Sequence, residues 1–207
     1  VDVSEAFSMP AGVEFSSVSS VDTNSQGNLI VLHRGTVPFL EFDASGKLLR
    51  NFGAEDLFTR SHGLRIDSND NMWVTDVSAH FVRKLDKDGN ILMTLGTPGE
   101  SGSWDEAYGK HLFDQPNETA LDSAGNIYVV QGHGVAEPRV LKFSPDGKFL
   151  MQWGSRGNGP GQFAVPHSIV IDANDKLYIA DRENMRIEIF NTSGEFQNEW
   201  TYSAMVC

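Results

Sequence analysis

Cysteine is almost missing from this chain: one residue, at the last of 207 positions. That excludes an internal disulfide framework and any cysteine-based zinc cluster. Basic residues are scarce, 16 Lys+Arg against 28 Asp+Glu, for a net charge of −12. A surface so acidic repels a phosphate backbone and an anionic lipid face, so neither nucleic acid nor membrane is an expected partner. No apolar run approaches the ~18 residues of a membrane span. Helical periodicity is lacking, as are a glycine-rich phosphate loop, a Ser-His-Asp set and a CxxC pair. There is no initiator Met and no signal segment, so the chain reads as a processed or excised piece. Hydrophobic residues make up 40%, with 13 Phe and 4 Trp, enough for a packed core.

The chain does contain a repeat. Four segments share one grammar, an apolar strand ending in Asp, a turn, a second strand, a third, another turn and a fourth. The Asp anchors are read as Asp22, Asp67, Asp122 and Asp172. Eight hairpin turns are expected at Gly27, Gly46, Asp70, Gly89, Gly125, Gly147, Asp175 and Gly194, residue types that tolerate positive φ. β-Branched and aromatic stretches such as Ile127–Val130 lie between them. Four short antiparallel strands at a period near 50 residues describe a propeller blade. The chain is thus expected to be an all-β propeller domain over 1–207, with blades at about 13–53, 61–96, 115–154 and 165–200. No spare strand is evident in residues 1–12 to close a four-blade ring, and the tail from Ala204 turns apolar again. The four blades are therefore expected to belong to a larger ring, six-bladed by the usual preference, that continues past Cys207.

His62 and His167 each stand five residues before their anchor Asp, a register that faces the channel, while Ser17 and Asn117 fill it in blades one and three. Alternate blades of a six-blade ring are related by threefold rotation, the geometry of a three-histidine metal site with open positions. The competing reading is that each imidazole caps a strand end through a backbone hydrogen bond. Arg34 and Arg182 share a second register, at the end of the second strand, where a guanidinium fork suits a carboxylate; a surface Arg–Asp pair is the alternative. His133 lies one residue past that register between two glycines. Asp76, Asp181, Asn184 and Arg186 read as structural, and His80 and His111 as surface residues. The stretch 97–114 is the longest insertion. Its Trp104 and Tyr108 suit a peptide-contacting rim, or a plain solvated connector.

The segment PDGKFLMQWGSRGNGPGQFAVPHSIVIDANDKLYIADRENMRIEIF, with His33-Arg34-Gly35, His62-Gly63-Leu64, Trp73–Asp76 and Asp181–Asn184, resembles the NHL repeat. It is most similar to the peptidyl-α-hydroxyglycine α-amidating lyases, six-bladed propellers that release a peptide amide and glyoxylate. The resemblance implies zinc held by three His, two on His62 and His167, with the third expected beyond Cys207. It implies a carboxylate-holding pair on Arg34 and Arg182, and a structural calcium with a backbone ligand near Leu64. The family's Tyr base falls on His133, which is expected to act as general base or as an extra metal ligand. A small carboxylate-bearing or peptide substrate and a secreted location are further implications. The alternative is a non-enzymatic NHL propeller that binds a protein or peptide on its rim.

Overall fold

A computed structural model describes residues 9–133 and 137–204. Gly134 and Met205–Cys207, the latter part of the apolar tail expected to start another blade, lie outside the described residues, as do residues 1–8. Four four-stranded antiparallel sheets follow one another along the chain, each ordered as a simple meander. The first holds β1 (Val18–Thr23), β2 (Leu29–His33), β3 (Phe39–Phe42) and β4 (Leu48–Phe52). The second holds β5 (Ser61–Ile66), β6 (Met72–Asp76), β7 (Phe81–Leu85) and β8 (Ile91–Leu95). A two-stranded ribbon, β9 (Trp104–Asp105) and β10 (Lys110–His111), comes next. The third sheet is β11 (Pro116–Leu121), β12 (Ile127–Gln131), β13 (Arg139–Phe143) and β14 (Phe149–Trp153). The fourth is β15 (Pro166–Ile171), β16 (Leu177–Asp181), β17 (Arg186–Phe190) and β18 (Phe196–Thr201). Among the described residues the only helical elements are two 3-10 turns of three residues each.

The first strands β1, β5, β11 and β15 are neighbours in that order, so they form the inner wall. All eight expected turn residues have positive φ, including Asp70 at 60° and Asp175 at 59°. The turns are fixed by side-chain carboxylates that mimic backbone. Asp67 Oδ1 accepts from the N–H groups of Asn69 and Asn71, Asp122 Oδ1 from Ala124 and Asn126, and Asp172 Oδ1 from Asn174 and Lys176. The second oxygen of each takes a proton from an aromatic six residues on: Trp73 Nε1 at 3.2 Å, Tyr128 OH at 2.9 Å and Tyr178 OH at 3.0 Å.

Blade one corrects the expected register. Its turn is anchored by Asn24, whose Oδ1 accepts from Gln26 and Asn28, and not by Asp22. Position 30, six residues on, is Ile and has no proton to give a carboxylate; the Asn24 amide donates instead to Glu41 at 2.9 Å. Asp22 turns across to blade two and accepts from Ile66 N–H at 2.8 Å. The residue matching His62 in blade one is consequently Ser19 rather than Ser17.

Core side chains fill the spaces between successive sheets. Leu32, Phe39, Leu64 and Val74 pack between blades one and two, Trp73, Phe113, Val129 and Phe143 between two and three, and Tyr128, Phe163, Ile179 and Phe190 between three and four. Trp104, expected on a rim, is buried in the middle cluster, stacked on His111 and edge-on to Phe143. An indole placed against three phenylalanines is removed from water by more apolar area than a loop can offset. Tyr108 in the same ribbon is 80% exposed. His80 is not a surface residue either: half-buried, its Nδ1 accepts from Gln115 N–H at 3.1 Å.

Glu188 is fully buried, and its carboxyl is pushed up to about 7, chiefly by burial. Gly161 N–H donates to one of its oxygens at 3.0 Å and the other has no partner among the described residues. Between pH ~4.5 and ~7 the unfolded chain has released this proton while the folded chain retains it, so the contribution is full at low pH and lost as pH rises through 7. Glu188→Gln is expected to flatten part of the fall in urea midpoint between pH 5 and 8. Parallel pH profiles for the two proteins would contradict this.

Candidate metal centre

The inner strand of every blade carries a β-bulge at the histidine register. Pairing jumps between Val18 and Ser20, Ser61 and Leu64, Pro116 and Glu118, and Pro166 and Ser168. A bulge leaves a residue out of the ladder and re-aims its side chain. Ser19, His62, Asn117 and His167 are the residues so released.

The strand start beneath each bulge is clamped by the last residue of the second strand. Asp76 Oδ2 accepts from the N–H groups of Thr59 and Arg60 at 2.6 and 2.8 Å. Asp181 Oδ1 accepts from Ala164 and Val165 at 2.9 and 3.0 Å. Gln131 Oε1 and His33 Nδ1 do the same for Asp114 and Ser16. Asp76 and Asp181 are fully buried, in keeping with their structural assignment. They fix the backbone two residues before His62 and His167.

The two histidines meet. Their ring centroids are 4.9 Å apart, and His133 joins them at 5.0 Å from His62 and 5.4 Å from His167. One ring nitrogen from each of the three lies within 4.8 Å of the others. The chain thus gathers three imidazoles from within its own described residues, the two expected as ligands and His133, expected as general base or extra ligand. Gly132 makes this possible: its φ of 121° suits a residue without Cβ and turns the chain after β12 back toward the channel.

His62 Nδ1 donates to the carbonyl of Asn117 at 2.9 Å, and Thr75 Oγ donates to the same oxygen at 2.8 Å. A carbonyl only accepts, so the proton sits on Nδ1 and the Nε2 lone pair is left for a metal, the usual arrangement around a ligating histidine. The backbone cap that competed with ligation and the ligand role are therefore compatible. Asn117 is itself buried and donates to Pro166 O at 2.8 Å, linking the site across blades two, three and four. At Gly63 a Cβ would come within 2.5 Å of Glu118 Oε1 and 2.7 Å of Asn117 O, which accounts for glycine beside His62.

Burial pulls both His62 and His167 down to about 4, and it also lowers His133. All three are neutral near pH 7, the form that ligates. Cations add to the depression: Arg34 and Arg60 act on His62, Arg182 on His167, and all three on His133. The two arginines chosen from sequence therefore share the mouth with the histidines. Their backbone N–H groups occupy one register, Arg34 on Ser17 O at 3.0 Å and Arg182 on Val165 O at 2.9 Å. Arg34 Nε donates to Ser61 O at 3.2 Å, and Arg182 Nε pairs with Glu183 at 3.1 Å rather than with Asp181.

Arg60 was not singled out from the sequence. Its signal was available: the neighbouring strand starts carry neutral Ser17, Gln115 and Val165 at the position whose carbonyl receives the same hydrogen bond. Leu64 is buried with its side chain in the core, so only its carbonyl is offered to a cation. No carboxylate group gathers around it among the described residues. Asp22 and Glu118 face Arg65, next along the strand, at 3.9 and 4.0 Å. Calcium takes six to eight oxygens, so a site at Leu64 needs donors beyond its own carbonyl.

Three neutral imidazole nitrogens in an arginine-rimmed mouth form a donor set of the kind a metal ion takes. Residues 117–207 match the family model DUF5128, described as a 6-bladed beta-propeller. The chain is 36% identical, over 88% of its length, to peptidylglycine alpha-amidating monooxygenase of Rattus norvegicus, of which it spans 21%. It is 28% identical over 91% to peptidyl-alpha-hydroxyglycine alpha-amidating lyase 1 of Drosophila melanogaster, spanning 40% of that protein. NHL repeat-containing protein 3 of Mus musculus is 33% identical over 84% of the chain, which spans 52% of it. Among solved structures a streptogramin B lyase superposes with a TM-score of 0.68 at 17% identity, covering 93% of this chain and 57% of that one, a likeness of fold. The α-amidating lyases and the NHL repeat-containing proteins are thus homologues of this chain, and part of it matches a six-bladed β-propeller family.

Proposed function

We propose that this chain supplies the active mouth of a secreted peptidyl-α-hydroxyglycine α-amidating lyase, four blades of a six-bladed ring, acting on a peptide that ends in α-hydroxyglycine. The observation that carries this reading is the convergence of His62, His133 and His167 inside a collar of arginines. In the reaction the C–N bond breaks, the hydroxyl proton passes to the departing amide nitrogen, and the carbinol carbon becomes the aldehyde of glyoxylate. No oxidant is consumed.

Zinc held by the three histidines would supply Lewis acidity toward an oxygen of the substrate. Asn117 O, by accepting from His62, keeps that imidazole in the ligating tautomer. Arg34 and Arg182 hold the substrate carboxylate; each has its Nε engaged, which steadies the arm and leaves the outer N–H groups for the fork. His133 serves as third ligand in this reading, so the phenol expected from the resemblance has no counterpart at its position. Calcium near Leu64 would need oxygen donors beyond that residue's carbonyl.

Substitution at His133 separates its two roles. His133→Tyr restores the family's phenol, which is protonated at neutral pH and a poor ligand. The expected result, in the intact protein, is loss of zinc by metal analysis together with loss of turnover, as in His133→Ala. Retained zinc and turnover in His133→Tyr would return His133 to the role of base. Wild-type protein carrying zinc but inert toward an α-hydroxyglycine peptide would leave the binding-scaffold reading.

A further inference from the structure

Arg60 stands apart from the repeat. Its backbone is held on both sides, its N–H by Asp76 at 2.8 Å and its carbonyl by Val77 N–H at 3.2 Å. The residue is exposed, in the bend two residues ahead of His62 and immediately before β5. Among the described residues no carboxylate pairs with its guanidinium, although the chain has 28 acidic side chains. A fixed backbone under an unpartnered cation, in a protein of net charge −12, is a feature the fold does not need.

We propose that Arg60 is a specificity-determining residue that selects peptides with an acidic side chain immediately before the α-hydroxyglycine. This rests on the lyase reading above. Arg34 and Arg182 suffice for one carboxylate, since each guanidinium forks onto one such group; a third cation at the same mouth faces a second anionic group. Its position sets which one. Two residues of chain separate Arg60, in the bend before β5, from His62, a span of at most about 7 Å. A substrate whose terminal unit sits at the histidines places its preceding residue about one Cα step, roughly 3.8 Å, outward. A Glu or Asp side chain there reaches the guanidinium. Both partners are partly in water, so the gain is modest and screened by salt.

The test compares two α-hydroxyglycine peptides, identical except for Glu or Gln before the terminal unit, on the intact protein, with the unhydroxylated Glu-Gly and Gln-Gly peptides as binding probes in calorimetry. Wild type is expected to show a KM about fivefold lower for the Glu substrate and a matching affinity ratio for the probes. Both ratios should shrink toward one in 0.5 M salt. Arg60→Gln should bring them to about one at low salt, and Arg60→Lys should retain much of them. A merely structural role would lower both peptides equally and leave the ratio intact, which overturns the proposal. Equal wild-type affinity for the two probes, or binding of neither, also overturns it. Discrimination between the probes without turnover of either hydroxylated peptide would instead count against the lyase chemistry while sustaining the role of Arg60.

Discussion

His62→Ala or His167→Ala should lower the zinc affinity of the intact protein at least a hundredfold and abolish turnover. The size follows from the geometry. Residues that only support a ligand typically cost 10- to 100-fold in affinity when removed, and these two are the donors themselves. The neighbours cannot compensate. His62 is the imidazole whose tautomer is set by Asn117 O at 2.9 Å, and His167 is the one held in place through the Asp181 clamp on Val165. Removing either leaves two of the three imidazoles this chain gathers, too few for the three-nitrogen set it forms. Zinc titration with a competing chelator, alongside an amidating-lyase assay, reads both effects. Unchanged zinc stoichiometry in either variant would sink the metal-centre reading, and full turnover without zinc would sink the role of the metal in catalysis.

Asp181→Ala is expected to destabilise the chain by about 3–5 kcal/mol, the usual result of stripping one partner from a buried ion pair. Asp181 is fully buried, and Arg186, 5% exposed, lies against it at 3.3 Å. The same carboxylate holds Asn184 at 2.6 Å and the N–H groups of Ala164 and Val165. Alanine there leaves a buried guanidinium short of charge and two backbone donors unpaired. Asp181→Asn keeps an acceptor for both of those donors, which share Oδ1, and should cost less, by about the 1–2 kcal/mol that separates a charged from a neutral hydrogen bond. Urea unfolding monitored by tryptophan fluorescence measures both. Because Val165 precedes His167 by two residues, Asp181→Ala should also weaken zinc binding in the protein that remains folded. A loss of stability under 1 kcal/mol would show that Glu199, which also faces Arg186 at 2.9 Å, balances it alone.

The blade pattern was legible in the sequence because it is local. A hairpin turn needs residues that accept positive φ, and glycine or aspartate at eight matched positions supplied them. Blade one was misread by two residues for an equally local reason: Asp22 is a carboxylate near a turn, but it lacks an aromatic donor six residues on. Asn24 takes the turn instead, paired with Glu41. Trp104 was misplaced because burial depends on what the opposing blade presents, and Phe113 and Phe143 come from elsewhere in the chain.

The sequence by itself determined the repeat, the turns and the matched registers of His62 with His167 and of Arg34 with Arg182, since period and register are properties of a single strand pair. Only the tertiary structure decided that His133 stands with the other two imidazoles, 5.0 and 5.4 Å from them, and that the charge of Arg60 acts on His62 and His133. The physical reason is that a loop residue belongs to no register. Its position follows from the φ of Gly132, from the bulges that turn His62 and His167 out of their ladders, and from the carbonyl of Asn117, which joins blades 42 to 55 residues apart through Thr75 and His62.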